Sequence, residues 1–555
     1  MMLLLKTLYE HNKKEVILYL KFSIVSALSA TYCYYVINSA SSDSRDSEKL
    51  LYQSFQFIIA LTIFCLAQLK SLEICGPVIE NRVHLIRGKL FNKLQKIELQ
   101  EVESIGTTKI ISHISSDTLN ISQIATPLAF AGQSFILSGI ASIYLFYIST
   151  SAFLLTALVC SLAIWAFLSH SKQVNSALDS AQRQASEMQE HVISLVDGFK
   201  ELKLSHSKAK DAVKEAVQSS AASIEYKLTA HKALSRDFIL SQFALYALLG
   251  TMAFIVPLLN STGSENVSES VAAVMFLVSP LFGMVATVPQ IIAANMSATN
   301  LQEFEKLLDS LTRDTNNPNT SSASYNFKDS TSDQDKNEFN SFENITLNKV
   351  QFAYDKSNAG FNIGPLDLII TKGEVIFITG NNGAGKTTLL KIITGLYKPT
   401  SGEILCNGMS VWPERVTSFR SLYAVVFSNF YLFKKLYGIN KIDPEWTKLW
   451  LDRLQLTSKI KLVNGKFSTT KLSTGQRKRL ALFSALAEKK PILILDEWAA
   501  DQDPGFRLFF YSEILPYIKN ENVTIIAITH DETYFNFADR RLHLELGILT
   551  QINKA

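Results

Sequence analysis

Apolar runs long enough to cross a membrane are confined to the first half of the chain. A membrane-spanning helix needs about 20 mostly apolar residues. The six segments that fit are residues 16–37, 50–69, 127–148, 151–168, 238–259 and 271–292. Only a few polar residues separate the third and fourth. The pattern predicts an all-α, six-helix membrane domain in which these two spans form a tight hairpin.

Long polar segments follow the second and fourth spans, and both show apolar residues at helical spacing amid charge, at 82–99 and 182–217. We expect the spans to continue as helices beyond the bilayer and to turn back near 115–120 and 198–204. The same segments are rich in Lys and Arg, whereas the opposite loops, 41–49 and 260–270, are not. This asymmetry predicts that both termini and the long loops face the cytoplasm.

The N-terminal residues 1–14 carry several charges and no small-residue cleavage site follows them, so we expect an amphipathic surface helix rather than a signal peptide. Residues 310–342 are rich in Ser, Asn, Asp and Thr, a composition that suits a polar linker. A soluble α/β pattern follows. The predicted division is a membrane domain at 1–305, a linker at 306–344 and an α/β domain at 345–555.

Composition narrows the class of protein further. The 555 residues include only 19% charged side chains, against the usual ~25%, and mean hydropathy is +0.13. A disordered chain and a wholly soluble enzyme are therefore disfavoured. The net charge of +4 is too balanced for a dedicated nucleic-acid binder, so no nucleic-acid partner is expected. The five cysteines form no CxxC pair, which disfavours a disulfide framework or a zinc site.

The predicted α/β domain contains a candidate phosphate-binding loop. The GxxxxGK[ST] pattern comprises Gly380, Gly385, Lys386 and Thr387, between a predicted strand at 375–378 and a predicted helix at 388–395. Backbone N–H groups of such a loop approach phosphate oxygens. Lys386 would reach the β- and γ-phosphates, and Thr387 would bind Mg²⁺. The other predicted nucleotide-binding residues of this segment are Asn381, Asn382, Gly383, Ala384 and Thr388.

A second apolar strand, 492–495, ends at the acidic pair Asp496 and Glu497. Asp496 suits an Mg²⁺ partner, and Glu497 suits a base that orients an attacking water molecule. An acidic pair at a strand end can also be incidental. The coexistence of both motifs in one domain favours nucleotide hydrolysis.

Three further features resemble the ATP-binding-cassette (ABC) family. The run LSTGQ, with Ser473, Gly475 and Gln476, is similar to the LSGGQ signature and opens an apparent helix at 477–487. His530 follows the strand at 523–528, where the family places a histidine that senses the γ-phosphate. Tyr354 precedes the phosphate loop, where the family stacks an aromatic ring on adenine; an ordinary strand aromatic is the alternative. The order of motifs resembles an ABC nucleotide-binding domain, and the six spans resemble the type-IV exporter fold.

Several longer runs resemble the bacterial branch that exports cyclic peptides, syringomycin-type lipopeptides and pyoverdine siderophore precursors. They are FNIGPLDLIITKGE (361–374), LSTGQRKRLAL (472–482), LDEWAADQDPGFR (495–507), THDETYFNFADR (529–540) and GFKELKLSHSK (198–208). One departure is Ser428, which stands where the family has a glutamine that contacts Mg²⁺. A role for Ser428 at the metal, or for the neighbouring Asn429, is left open.

The resemblance implies a half-transporter, because one chain carries one membrane domain and one nucleotide-binding domain. A homodimer would bind two ATP molecules with Mg²⁺, each between Lys386 of one copy and Ser473 and Gly475 of the other, with Asp503 at the interface. The implied protein is a multi-pass, lipid-embedded exporter of a peptide or siderophore-like substrate in a bacterial inner membrane. An exporter of lipid or hydrophobic drug and a non-transporting membrane ATPase are the alternatives. Polar span residues are candidate substrate contacts or interhelical hydrogen-bond partners: Gln56, Gln133, Gln242 and Gln290.

Overall fold

The computed structural model describes residues 13–42, 47–255, 265–313, 339, 342–354, 361–439 and 441–552. Most of the predicted N-terminal surface helix, the end of the predicted fifth span and most of the predicted linker lie outside these residues. The described chain divides into two compact units. The first contains most residues up to Thr312, and the second contains Glu98–Ser104 together with the chain from Arg313 onward.

The first unit is all α-helical. Its helices are α1 (Lys13–Ser42), α2 (Ser47–Lys96), α4 (Thr107–Ser112), α5 (Thr118–Gln123), α6 (Ala125–Ile148), α7 (Thr150–Asp197), α8 (Phe199–Leu204), α9 (His206–Gly250) and α10 (Glu265–Arg313). Turns of π-helix, His113–Asp117 and Thr251–Ile255, join α4 to α5 and extend α9. The short helix α3 (Leu99–Ile105) follows α2 in the chain.

Five described helical segments are long and apolar enough to cross a membrane: Lys13–Ala40, Glu48–Lys96, Thr107–Ile148, His206–Ile255 and Ala272–Thr312. The predicted fourth span corresponds to the apolar but shorter segment Thr150–Ala166 at the start of α7. Many large apolar side chains of these segments are exposed, Tyr147 at 89% among them, as expected of surfaces that face lipid.

Polar side chains join the membrane helices to one another. Gln133 donates to Ser26 Oγ at 3.0 Å, Ser26 donates to Gln68 Oε1 at 3.1 Å, and the hydroxyls of Ser23 and Ser71 lie 2.9 Å apart. Such bonds stabilise helix association in an apolar medium, where an unpaired polar group is costly. For Gln133 the structure therefore supports the interhelical alternative over direct exposure to a substrate.

One predicted chain reversal is correct and the other is wrong. The predicted turn at 198–204 coincides with α8, which lies between α7 and α9. The predicted turn at 115–120 is instead part of the helical run Thr107–Ile148, and the chain reverses earlier, between the end of α2 and Gly106. Polar residues of this segment have hydrogen-bond partners. His113 Nδ1 lies 2.8 Å from Asp117 Oδ2, Arg87 Nε donates to Thr118 Oγ1 at 2.9 Å, and Asn120 donates to Ser297 Oγ at 2.9 Å.

The second unit contains two main sheets. A four-stranded antiparallel sheet has the order β2-β1-β4-β5, and a six-stranded sheet has the order β12-β11-β3-β10-β9-β6, parallel except for β12 at its edge. The strands are β1 (Asn344–Ala353), β2 (Asn362–Thr371), β3 (Val375–Thr379), β4 (Ser401–Cys406), β5 (Met409–Ser410), β6 (Tyr423–Val426), β9 (Ile492–Asp496), β10 (Thr524–Ile528), β11 (Arg540–Glu545) and β12 (Ile548–Ile552), with a small hairpin of β7 (Leu462–Val463) and β8 (Lys466–Phe467).

Helices flank this six-stranded sheet, whose central strands β3, β9 and β10 are buried along their whole length. Buried, near-continuous apolar strands are typical of parallel sheets covered on both faces. The helices are α11 (Lys386–Ile393), α12 (Val416–Arg420), α13 (Pro444–Arg453), α14 (Thr474–Ala487), α15 (Pro504–Phe509) and α16 (Leu515–Asn520), the last two joined by a π-helical turn. Parallel strands place the ends of β3, β9 and β10 at one edge of the sheet, where the predicted site residues follow.

Candidate functional site

The loop between β3 and α11 has the backbone that a phosphate-binding loop requires. Gly380, Gly383 and Gly385 all have positive φ, at 147°, 81° and 98°. A Cβ on Gly380 would lie 2.2 Å from the carbonyl oxygen of Leu544, and one on Gly385 would lie 2.7 Å from Ile363 Cδ1. The backbone therefore excludes a side chain at Gly380, and the positive φ would strain one at Gly385. α11 begins directly after Gly385, so the loop leads into a helix N-terminus, as predicted.

Lys386 folds back over this loop. Its Nζ donates to the carbonyl oxygens of Gly380 at 2.8 Å and Asn381 at 3.1 Å, and lies 3.9 Å from Glu497 Oε1. The side chain is buried, and this burial lowers the pKa of Lys386 from its ordinary value. The nearby carboxylates of Glu497 and Asp496 act in the opposite direction on this pKa and favour the ammonium form, which lies beside the loop in the position predicted to attract phosphate oxygens.

The Asp496 carboxylate is the centre of the candidate metal site. Its Oδ2 accepts from Thr387 Oγ1 at 3.2 Å, from Ser428 Oγ at 3.0 Å and from Ser428 N at 3.2 Å. The carboxylate is buried at the end of β9. Carboxylate and hydroxyl oxygens are the hard ligands that Mg²⁺ prefers, so this donor set fits the ion. Ser428 reaches Asp496 directly, which the sequence left open.

Glu497 and His530 meet at the ends of neighbouring strands. β9 and β10 pair in parallel with Ile528 opposite Asp496, so the residues that follow them are adjacent. His530 Nε2 lies 3.3 Å from Glu497 Oε1. Glu497 has φ 50° and ψ 35°, a left-handed conformation that is uncommon for a side-chain-bearing residue. Its side chain is 37% exposed, which leaves the carboxylate accessible to a water molecule.

The signature residues form the start of α14, which begins at Thr474, three residues before the predicted start. Ser473 caps the helix: its hydroxyl accepts from Gln476 N at 3.4 Å, and its own N–H donates to Gln476 Oε1 at 3.4 Å. This reciprocal pair is a capping box. Gly475 packs so closely that a Cβ would lie 2.9 Å from the carbonyl oxygen of Asp501. The signature is thereby joined to the segment after Glu497.

Tyr354 lies beside the phosphate-loop helix. Its hydroxyl is 2.7 Å from Thr388 Oγ1, and its ring packs edge-on against Phe352 and Tyr397. About half of the side chain is exposed, so part of the ring is accessible to a ligand. The geometry therefore joins Tyr354 to Thr388, another residue predicted to bind nucleotide, while the role of stacking on adenine remains a prediction.

Sequence reasoning missed two groups of charged residues in the second unit. Glu103 of α3 accepts from Lys391 Nζ at 2.9 Å and from the Tyr397 hydroxyl at 2.5 Å, and Glu98 pairs with Arg420. Burial, followed by the Glu103 contact, raises the pKa of Tyr397. Lys478 of α14 is the other miss. Lys478 stands between Arg477 and Arg479, so the sequence did not distinguish it from an ordinary surface charge. The signal for Glu98 and Glu103 was two acidic residues close to a chain reversal.

Both domains match models of known protein families. Residues 16–285 match the family described as "ABC transporter transmembrane region", and residues 363–500 match the family described as "ABC transporter". The chain is 31% identical to ATP-binding protein SyrD of Pseudomonas syringae pv. syringae over 540 residues, which covers 95% of this chain and 92% of SyrD. It is 30% identical over 208 residues to the Colicin V secretion/processing ATP-binding protein CvaB of Escherichia coli, covering 35% of this chain and 29% of CvaB.

A solved structure of a bacterial Atm1-family ABC exporter with ATP bound has the same fold. The TM-score is 0.76 at 17% sequence identity, covering 97% of this chain and 94% of that one. The chain belongs to the ABC transporter family, as a half-transporter with a membrane domain and a nucleotide-binding domain. It is an ATP-binding, membrane-embedded ATPase that drives export. The predicted fold class and family are confirmed.

Proposed function

We propose that two copies of this chain export a cyclic peptide, a lipopeptide or a siderophore precursor from the cytoplasm across a bacterial inner membrane. The observation that carries the proposal is the similarity to SyrD over 95% of the chain, because it includes membrane and nucleotide-binding domains together. The runs that resemble the cyclic-peptide export branch supply the cargo class. The name of CvaB, which refers to secretion of colicin V, is consistent with exported cargo of this kind.

Dimerisation is supported by the number of motifs. The sequence contains one phosphate loop, at residues 380–387, and one LSTGQ signature, at residues 472–476. In the family each ATP is bound between the loop of one copy and the signature of the other. A symmetric pair would form two such sites, each with Lys386 from one copy and Ser473, Gly475 and Gln476 from the other. Asp503 would lie at the same interface.

The contacts of the described side chains support the roles that we propose for most residues of each site, and the family resemblance supports the rest. The loop Asn381–Gly385, Lys386 and Thr388 would bind phosphate, and Tyr354 would stack on adenine. Thr387, Ser428 and Asp496 would hold Mg²⁺. When bound there, Mg²⁺ neutralises charge that develops on the phosphates. Glu497 would orient the attacking water and accept its proton, and His530, 3.3 Å from Glu497, would sense the γ-phosphate.

Orientation is supported by the basic residues of the long segments after the second and fourth spans. They favour a cytoplasmic position for both termini and for the nucleotide-binding domain. In this arrangement ATP is hydrolysed in the cytoplasm, and the cargo leaves toward the periplasm. ATP occupancy would bias the dimer between two conformations.

The test is mass spectrometry of small peptides in cytoplasm, periplasm and medium, in cells that express either wild-type protein or Glu497→Gln. The substitution keeps the size of the side chain but removes the proton acceptor. The exposed Glu521→Gln is the matched control. In cells with Glu497→Gln, we expect a peptide to accumulate in the cytoplasm and to disappear from the periplasm and medium. Cells with wild-type protein or with Glu521→Gln should not show this change.

An unchanged peptide distribution across inducing conditions, with the protein present, would contradict a peptide cargo. A change in membrane lipids or in drug efflux would then support the lipid or drug exporter. No change in any exported compound would support the non-transporting ATPase. The homodimer is tested separately by light scattering of the purified protein in detergent: a protein mass of 61.9 kDa, that of one chain, would refute it.

A further inference from the structure

Lys478 is a buried lysine that the ATP site described above does not include. It lies in α14, four residues after the helix begins at Thr474, and its side chain is only 6% exposed. Its Nζ donates to the main-chain carbonyl oxygen of Glu497 at 2.7 Å and lies 2.7 Å from Asp501 Oδ2. A lysine is almost never buried to this degree without partners. Here both partners belong to the segment that carries Glu497.

The carbonyl that Lys478 binds belongs to a strained residue. Glu497 has a left-handed backbone (φ 50°, ψ 35°), a conformation that persists only where surrounding contacts impose it. Its N–H donates to the carbonyl oxygen of Ile528 at 3.1 Å, and its carbonyl accepts from Lys478. The peptide groups on both sides of the Glu497 Cα are therefore held. Because the direction of a side chain depends on its backbone, these two bonds aim the Glu497 carboxylate.

Further bonds lock the same two segments together. Trp498 Nε1 donates to the carbonyl oxygen of Lys478 at 2.7 Å, and Trp498 is 1% exposed. Gln502 Nε2 donates to the carbonyl oxygen of Gly475 at 3.2 Å, and Arg479 Nε donates to Gln502 Oε1 at 2.8 Å. The N-terminal half of α14 and residues 497–503 thus share bonds in both directions. Lys478 is the member of this set that reaches Glu497 itself.

We propose that Lys478 is a positioning residue for ATP hydrolysis: it holds the left-handed backbone of Glu497 through the carbonyl oxygen and braces that bond through Asp501. The inference rests on the ATPase activity of the family and on Glu497 as the base, and it does not depend on the cargo. A lysine that only stabilised the fold would affect unfolding, and would not act through Glu497.

The experiment measures kcat and KM for ATP with the full-length purified protein. Lys478→Met retains the length of the side chain but loses the donor and the charge. Lys478→Arg retains both, and Asp501→Asn removes only the charge partner. The matched control is Lys448→Met, at an exposed lysine on α13. Binding of a fluorescent ATP analogue and the melting temperature report on folding. Lys478→Met is also made in the Glu497→Gln background.

Displacement of a catalytic group by about 1 Å can cost about 100-fold in rate, so we expect Lys478→Met to lower kcat by about 10- to 100-fold with KM within about twofold. Lys478→Arg should recover most of this loss, and Asp501→Asn should lower kcat by only about threefold, since the carbonyl bond remains. In the Glu497→Gln background, Lys478→Met should change the residual rate by less than about twofold, because residues that act as a unit are not additive.

Three outcomes would overturn the proposal: a kcat for Lys478→Met within twofold of wild type, an equal loss in Lys448→Met, or the same fold-loss with and without Glu497. If Lys478→Met fails to bind the ATP analogue, the other two variants decide. The role is supported if Asp501→Asn has a lower kcat at unchanged KM and Lys478→Arg retains activity. The role is refuted if Asp501→Asn has wild-type kcat and Lys478→Arg is folded but inactive. Absence of ATPase activity in the wild-type protein would instead count against the hydrolytic function itself.

Discussion

Replacing Ser428 by alanine removes one of the three hydrogen bonds that hold Asp496 Oδ2. The bond from Ser428 Oγ is 3.0 Å long, and those from Ser428 N and Thr387 Oγ1, both 3.2 Å, remain. A hydrogen bond to a charged group contributes about 1.5–3 kcal/mol. Asp496 is buried but Ser428 is exposed, so water can replace the missing hydroxyl in part. We therefore expect a loss near the lower end of that range.

A loss of about 1.4 kcal/mol in transition-state binding corresponds to about a tenfold lower rate. Ser428→Ala should accordingly reduce kcat/KM for ATP by about tenfold at saturating Mg²⁺. Ser428→Thr retains the hydroxyl and should remain within about twofold of wild type, because its Oγ1 can form the same bond.

The assay is steady-state phosphate release by the purified protein, titrated with ATP at fixed Mg²⁺. Ser410→Ala is the matched control, since the Ser410 hydroxyl donates to the nearby carbonyl oxygen of Trp412 at 3.3 Å. Equal activity in Ser428→Ala and wild type would show that the hydroxyl is dispensable. A defect in Ser428→Thr as large as that in Ser428→Ala would show that packing, and not the hydrogen bond, matters at this position.

Three further predictions concern the second unit. Lys386→Ala should weaken ATP binding by about tenfold or more, because a buried charge-assisted contact to phosphate is lost, and fluorescence titration with an ATP analogue measures this; unchanged affinity would refute the role. Glu488 is exposed, but neighbouring groups partly desolvate its carboxyl group and raise its pKa above the ordinary value of 4.5. The ionised carboxylate therefore opposes folding above the raised pKa, by an amount that solvent screening keeps small. Glu488→Gln should therefore raise the melting temperature at pH 7.5, and this gain should shrink as the pH falls toward 4.5. A gain that does not change with pH would contradict the reasoning. Burial also raises the pKa of the Cys406 thiol to about 11. Cys406 should therefore resist alkylation by iodoacetamide at pH 8 until the protein is unfolded, which peptide mass spectrometry can follow. Rapid labelling of Cys406 in the folded protein would be inconsistent with its burial.

The phosphate loop and its flanking elements were predictable because their signal is local. The run from Val375 to Ile393 contains a buried strand, three glycines with positive φ and a helix, each specified by adjacent residues. The predicted strand and helix limits differ from the observed ones by one or two residues at most ends. The predicted role of His530 depended on the family resemblance, whereas its distance of 3.3 Å from Glu497 follows from the pairing of β9 with β10.

The reversal predicted at 115–120 shows where local reading fails. A run of Ser, Asp, Thr and Asn favours a turn when it is considered alone. In the structure these side chains find partners in other helices, as in the bonds from Arg87 to Thr118 and from Asn120 to Ser297, 177 residues away in sequence. Since buried polar groups are tolerated when they are hydrogen-bonded, the helical run continues through this segment.

The sequence alone determined the membrane spans, the order of the nucleotide-binding motifs and the class of reaction, because hydrophobic length and contiguous motifs need no knowledge of distant contacts. Tertiary structure decided which polar groups meet: Ser428 with Asp496, Glu103 with Tyr397, and Lys478 with the carbonyl of Glu497. Such pairs join residues that are remote in the chain, and a buried charge is stable only beside a specific partner. That partner is supplied by the packing of helices and strands, which no local pattern specifies.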